Sequence, residues 1–155
     1  MPLPSDGGRA MIEKTIQDIL DAKGAEVFTV TADVTVYAAL EELANKNVGA
    51  VLVMDGDEVA GIFTERDYAR KVVLKGLLPR DTLVREVMTT LICVATPQET
   101  VEEAMAVMTD KRCRHLPVFE DNRLVGMVSI GDMVKASLDE KKFIIDQLEN
   151  YIKHG

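Results

Sequence analysis

The apolar positions of this chain fall into two rhythms, one helical and one strand-like, and the whole succession occurs twice. In "TVYAALEELANK" (Thr35 to Lys46) the apolar Val36, Leu40 and Leu43 recur at helical spacing behind a threonine. In "TVEEAMAVMTDK" (Thr100 to Lys111), Val101, Met105 and Met108 do the same. A threonine just ahead of the first apolar position reads as an N-cap, because its hydroxyl accepts from an otherwise unpaired amide of the first turn. Two short runs rich in β-branched residues come after each helix, "GAVLVMD" with "EVAGIFT" and "HLPVFE" with "LVGMVSI". Asp55-Gly56-Asp57 and Asp121-Asn122 supply turn chemistry between the runs, so each pair predicts a hairpin. An extended stretch, "VFTV" or "ICVA", precedes each capped helix. Ahead of that comes a short helical turn, Ile16 to Leu20 or Val84 to Met88, and a second helix closes each copy, Tyr68 to Lys75 or Met133 to Leu138.

Residues repeat as well as rhythm. At the offset of 65 positions that separates Gly61 from Gly126, Thr31 falls on Thr96, Thr35 on Thr100, Val36 on Val101, Ala39 on Ala104, Val53 on Val118 and Asp67 on Asp132. With three residues inserted, "IQDIL" falls on "VREVM". A period this long fits a duplicated small domain rather than a solenoid. The expected fold is α/β, with two β-α-β-β-α repeats at residues 11–78 and 79–138, a leader at 1–10 rich in proline and glycine and expected to be disordered, and an amphipathic helix at 139–155. A copy of about 60 residues buries little surface alone. The two are therefore expected to pack sheet to sheet about a pseudo-twofold axis, leaving equivalent clefts between them, where ligands commonly bind. The tail "SLDEKKFIIDQLENYIKHG" carries an apolar stripe through Leu138, Ile144 or Ile145, Leu148, and Tyr151 or Ile152. It is expected to cover its own core, the alternative being to lie along a second chain.

Composition narrows the class. With 155 residues, 47% hydrophobic and 28% charged, the chain is large enough to bury roughly 70% of its unfolded surface without metal or disulfide staples. No apolar run approaches the roughly 20 residues that span a bilayer, and no apolar block of a signal peptide opens the sequence, so a cytoplasmic protein is expected. A net charge of −8 repels nucleic acid and anionic membranes at long range, and an anionic ligand then requires a local basic pocket. Cys93 and Cys113 lack both a Cys-x-x-Cys spacing and clustered histidines. They are expected to be two buried or half-buried thiols rather than a zinc site or a disulfide. Cys113 and His115 would share one face of a strand, which admits a small Cys/His enzyme as an alternative, but no third orienting residue is identifiable.

The chemistry concentrates in "GIFTERD" (Gly61 to Asp67) and "GMVSIGD" (Gly126 to Asp132), the same Gly-x-x-Ser/Thr-x-x-Asp step written twice. Ser/Thr-x-x-Asp at a helix start reads as a capping box, with the glycine allowing close backbone approach. The same geometry suits a ligand. Unpaired amides and a partial positive charge receive a phosphate beside the Thr64 or Ser129 hydroxyl, while an aspartate one turn along accepts the hydroxyls of a ribose. Cap and ligand site can coexist. Arg66 and Arg70 supply positive charge near the first motif, either to a phosphate or simply to solvent; Gly131 and Lys135 stand at the matching places of the second.

This doubled motif, each copy behind a strand pair and a capped helix, resembles the tandem cystathionine-β-synthase-type (CBS) domain pair, or Bateman module, over residues 15 to about 138. "RHLPVFEDNRLVGMVSIGD" (Arg114 to Asp132) is a particularly close match, and "GIFTERDYARK" resembles stand-alone pairs. The resemblance implies a non-catalytic regulatory module binding AMP, ADP, ATP, NAD(H) or S-adenosylmethionine. In such pairs the aspartate holds the ribose (Asp67, Asp132), the hydroxyl residue meets the phosphate (Thr64, Ser129, with Arg66 and Arg70), and the preceding strand offers backbone to adenine. Those last positions are Val48, Gly49 and Ala50 in one copy and Arg114, His115, Leu116 and Pro117 in the other, with Thr29 and Val94 flanking the base. AMP is the first expectation, because few basic residues lie near the motifs. The first copy departs from the family pattern at Leu52, where the second has Pro117, so the second is the better match and unequal sites are expected. The resemblance also implies a disc-like homodimer and an unidentified regulated protein. A ligand-free scaffold, its motifs serving only as caps, is the alternative.

Overall fold

A computed structural model describes residues 13–90 and 93–154; the expected disordered leader lies outside them. The chain divides into two compact units, one being Glu26–Ile92 and the other joining the residues before it to those from Cys93 onward. The boundary therefore does not follow the sequence repeat. The short helix that opens the first copy, α1 (Ile16–Lys23), belongs with the second copy's strands. The helix that opens the second copy belongs with the first's.

The middle unit contains β1 (Thr29–Thr31), α2 (Val36–Lys46), β2 (Ala50–Asp55) and β3 (Glu58–Thr64). Its sheet has the order β1-β2-β3, with β1 parallel and β3 antiparallel to β2. Thr35 caps α2 as expected, its hydroxyl accepting from the Ala38 amide at 3.1 Å. A short helical turn, α3 (Glu65–Asp67), widens into a π-helical stretch over Tyr68–Val73 where a plain α-helix is expected. Five-residue bonds from Leu74 to Ala69 and from Leu77 to Val72 carry that widening. α4 (Val84–Val87), the opening helix of the second copy, closes the unit. Val36, Ala39, Val51, Val53, Phe63, Val72 and Val84 form its core, each essentially inaccessible to water.

In the other unit α1 packs with α5 (Val101–Lys111), β4 (His115–Glu120), β5 (Arg123–Ser129) and α6 (Ile130–His154). β4 and β5 are antiparallel, joined by Asp121 and Asn122 at φ 51° and 63°, the left-handed pair that a tight hairpin turn requires. Ile16, Leu20, Val101, Ala104, Leu116, Val118, Val128 and Met133 fill the core.

Three expectations are corrected. The residues expected to form a second helix and a separate tail helix are one continuous helix of 25 residues, α6. No glycine or proline interrupts it after Gly131, so nothing stops propagation. Its apolar stripe does not cover the unit's own core. Burial ends at Met133 and Ala136, whereas Leu138, Ile145, Leu148, Tyr151 and Ile152 are all exposed, the last to 77%. Nor are the two cysteines free thiols, for Cys93 and Cys113 form a disulfide on the edge of this core. A separation of 20 residues says nothing of proximity until β4 is laid beside the segment holding Cys93.

Candidate functional site

Both repeated motifs start helices, and both are complete capping boxes. In the first, the Asp67 amide donates to the Thr64 hydroxyl at 3.1 Å and the Thr64 amide donates to Asp67 Oδ2 at 3.0 Å. In the second, the Asp132 amide donates to Ser129 Oγ at 3.2 Å and the Ser129 amide to Asp132 Oδ2 at 2.8 Å. The glycines ahead of them are packing positions. A Cβ on Gly61 would stand 2.8 Å from the Thr89 carbonyl oxygen and 2.7 Å from Met88 Sδ, both just beyond α4, and one on Gly126 would stand 2.7 Å from Leu20 of α1.

Beyond the cap the two aspartates differ. Asp67 is buried, and its Oδ1 is taken by the Thr89 hydroxyl at 3.0 Å and the Lys71 ammonium at 3.1 Å. Lys71 in turn donates to the Val87 carbonyl and the Thr89 hydroxyl. The carboxylate is thereby knotted into its own unit. Asp132 is half-buried, and its contacts with the described residues fall on Oδ2, shared by the Ser129 amide and the Lys23 ammonium at 2.8 Å. Its Oδ1 accepts from none of the described residues. Lys23, on the last turn of α1, is a site residue that sequence reasoning misses. The copy offset conceals it, because the lysine serving Asp67 lies four residues further along the same chain segment, whereas Ala136 occupies that place after Asp132.

The Asp132 carboxyl is raised by burial, but the Lys23 ammonium and the Ser129 amide and hydroxyl outweigh that and hold it below the ordinary aspartate value. A depressed folded pKa gives stability that is complete above the unfolded value of about 3.9 and is lost as pH falls through the lower folded value. Asp132→Asn is therefore expected to lose less stability than the parent across that acid window, as read from urea midpoints at successive pH values. Equal acid slopes would contradict it.

The remaining candidates gather on two edges. In the second copy, β4 and β5 place His115 opposite Ser129, and the Ile130 amide donates to the Arg114 carbonyl at 2.9 Å. Arg114 and Val94 are exposed; Leu116 and Pro117 are buried and offer only backbone, and the Leu116 side chain lies in the core. Val94 and Arg114 immediately follow the two ends of the disulfide. In the first copy, Ala50 stands opposite Thr64, and the Glu65 amide donates to the Gly49 carbonyl at 3.1 Å. Thr29 is exposed at the start of β1, Val48 packs on the core, and Arg66 and Arg70 are exposed. Cys113 lies outside β4, two residues ahead of His115, and is held in the disulfide, so it is no nucleophile in this state. Among the described residues no group of three or more His, Cys, Asp or Glu side chains could hold a metal ion, and no helix is long and apolar enough to cross a membrane.

The model of the CBS domain family matches residues 16–74 and again residues 84–139. The chain belongs to the CBS-domain family. The CBS domain-containing protein CBSX3, mitochondrial, of Arabidopsis thaliana is 40% identical over 150 residues, which are 91% of this chain and 73% of that one. The solved structure of a protein with CBS domains from Burkholderia ambifaria MC40-6, named a putative signal-transduction protein, is 46% identical, covers 81% of this chain and 95% of its own, and superposes with a TM-score of 0.79. A hexameric CBS-CP12 protein from bloom-forming cyanobacteria is 27% identical over 79% of this chain and 71% of its own, with a TM-score of 0.70. The family model matches the chain twice, so the duplicated unit is a CBS repeat and the fold is α/β.

Proposed function

We propose that this CBS pair is a non-catalytic regulatory sensor that binds an adenosine-containing ligand, AMP first, at the start of α6. The observation that carries the reading is the contrast between the two carboxylates. Asp132 presents an oxygen that accepts from none of the described residues, beside a lysine ammonium at a helix N-terminus, whereas both oxygens of Asp67 are already in use. In this reading a ribose diol donates to Asp132 Oδ1, the phosphate lies against the first-turn amides, Ser129 and the ammonium of Lys23, and adenine meets the backbone of Arg114 to Pro117 beside Val94. NAD(H), ATP and S-adenosylmethionine share the adenosyl half and are the competing ligands. Thr64 and Asp67, with Arg66 and Arg70, form a weaker second site whose carboxylate must first give up its own bonds. The exposed stripe of α6 supports association with another copy of the chain, and a relative of hexameric state supports the tendency to assemble.

A thermal-melt series with AMP, ADP, ATP, NAD, NADH and S-adenosylmethionine tests this. A ligand present at about 100 times its dissociation constant adds about 2.7 kcal/mol, a rise of roughly 5 to 10 °C for a chain of this size. AMP is expected to give such a rise, and Asp132→Ala to abolish it. A flat melt with all six compounds refutes the sensor and favours a scaffold.

A further inference from the structure

The Cys93–Cys113 disulfide stands where the first copy uses something else, and the difference identifies its role. Subtracting the repeat offset, Cys93 falls on Phe28 and Cys113 on Val48, two apolar residues packed on the core of their unit. In that unit the strand after Phe28 is a true ladder. Thr29, Val30 and Thr31 pair with Leu52, Val53 and Met54, and the ladder is extended by the Leu52 amide donating to the Phe28 carbonyl at 3.1 Å and the Ala32 amide to the Met54 carbonyl at 2.9 Å.

In the second copy both of those extending amides are missing. The residue equivalent to Leu52 is Pro117 and the residue equivalent to Ala32 is Pro97, and proline has no N–H to donate. Among the described residues the strand shrinks to a single bridge, Ala95 against Val118, held by the Ala95 amide on the Pro117 carbonyl and the Phe119 amide on the Ala95 carbonyl, both 2.9 Å. The disulfide ties down the segment that the two prolines leave under-bonded. Both sulfur-bearing residues are half-buried at the edge rather than sealed inside the core, and Val94 and Arg114, the exposed neighbours that come after them, flank the proposed adenine position.

From this we infer that Cys93–Cys113 is a reversible redox-modification site, a latch that a dithiol reductant opens, and that opening it loosens the Ala95 bridge and weakens nucleotide binding beside it. One thiolate of the reductant attacks a cysteine sulfur, the Cys93–Cys113 bond breaks, and a mixed disulfide forms. The second thiol of the reductant then closes its own disulfide. Two electrons and two protons pass from the dithiol to the protein, which is left with two cysteine thiols. The nucleotide half of the inference rests on the sensor proposal; the latch does not.

The test uses the whole chain, oxidised and after dithiothreitol, with alkylation and mass measurement to count thiols. Amide hydrogen exchange is followed at Ala95 and Phe119, with Leu52 and Ala32 of the other copy as internal controls, and AMP affinity is measured on both forms. On reduction, exchange at Ala95 and Phe119 is expected to quicken by about tenfold while the controls stay unchanged, and AMP to bind about fivefold more weakly. Cys93→Ser/Cys113→Ser is expected to behave as the reduced form with or without dithiothreitol. Two alkylated thiols with unchanged exchange at Ala95 and Phe119 overturn the latch. Resistance of the bond to dithiothreitol in the folded protein overturns it also. AMP bound equally by both forms removes the coupling and leaves the sensor reading standing, whereas AMP bound by neither form removes the sensor reading and the coupling together, with exchange still deciding the latch.

Discussion

Gly61→Ala is expected to destabilise the protein by about 3 kcal/mol or more, and Gly126→Ala, its counterpart, by about 1–2 kcal/mol. The two glycines hold the same place in the repeated motif, and both are there because another segment approaches too closely for a side chain. What they meet differs. A methyl at Gly61 would run into the Thr89 carbonyl oxygen at 2.8 Å, a backbone atom tied by reciprocal bonds of 2.8 and 2.9 Å between Thr89 and Ile62. Relief there means breaking a bridge of the middle unit. A methyl at Gly126 would meet only the Leu20 side chain, the end of a flexible group that can change rotamer within its core. Urea denaturation of the two variants measures the gap; equal losses would show that both neighbours yield alike.

Asp67→Ala is expected to cost about 3 kcal/mol and Asp132→Ala about 1 kcal/mol. Each variant keeps the Thr64 or Ser129 hydroxyl as the cap and loses the carboxylate half of the capping box, a backbone-amide bond worth about 1 kcal/mol. Asp67→Ala also strips the Thr89 hydroxyl and the Lys71 ammonium of their shared acceptor in a buried setting, where an orphaned partner adds about 1–3 kcal/mol. Lys71 is partly exposed, so solvent recovers some of its loss, and the full penalty of a broken buried pair does not apply. Asp132→Ala leaves Lys23 free to turn to water. Midpoints of urea unfolding, taken without nucleotide, read the stability contrast. The nucleotide response is expected to invert the order, with Asp132→Ala the more damaging to AMP binding. Equal stability losses would mean that the network around Asp67 is no stronger than a simple cap.

The capped helices and the hairpins were legible because each carries its own punctuation. Thr35 and Thr100 mark helix starts by a local hydrogen bond, and Asp121-Asn122 marks a turn by the backbone angles those residues tolerate. Features set by distant neighbours were not. The repeat offset aligns Lys71 with Ala136 and gives no hint that Lys23, from the other end of the chain, serves Asp132. It assigns the opening helices to copies in sequence order, whereas packing hands each to the other copy's strands. The cysteine pair was hidden for the same reason, although the offset held the clue. Phe28 and Val48 pack on one core, and their counterparts Cys93 and Cys113 sit against the core of the other unit, where they are bonded. The π-helical stretch after Asp67 had no signature, because apolar spacing in so short a segment does not separate four-residue from five-residue bonding.

The length of α6 turns a small bend past its anchored part into a large displacement at its tip. Side-chain burial ends at Ala136 and the Lys14 amide ties down Glu140, beyond which the helix projects as a rod of about 20 Å at 1.5 Å per residue. A bend of about 10° just past Glu140 sweeps the tip of that rod sideways through roughly 4 Å, about the width of a side chain.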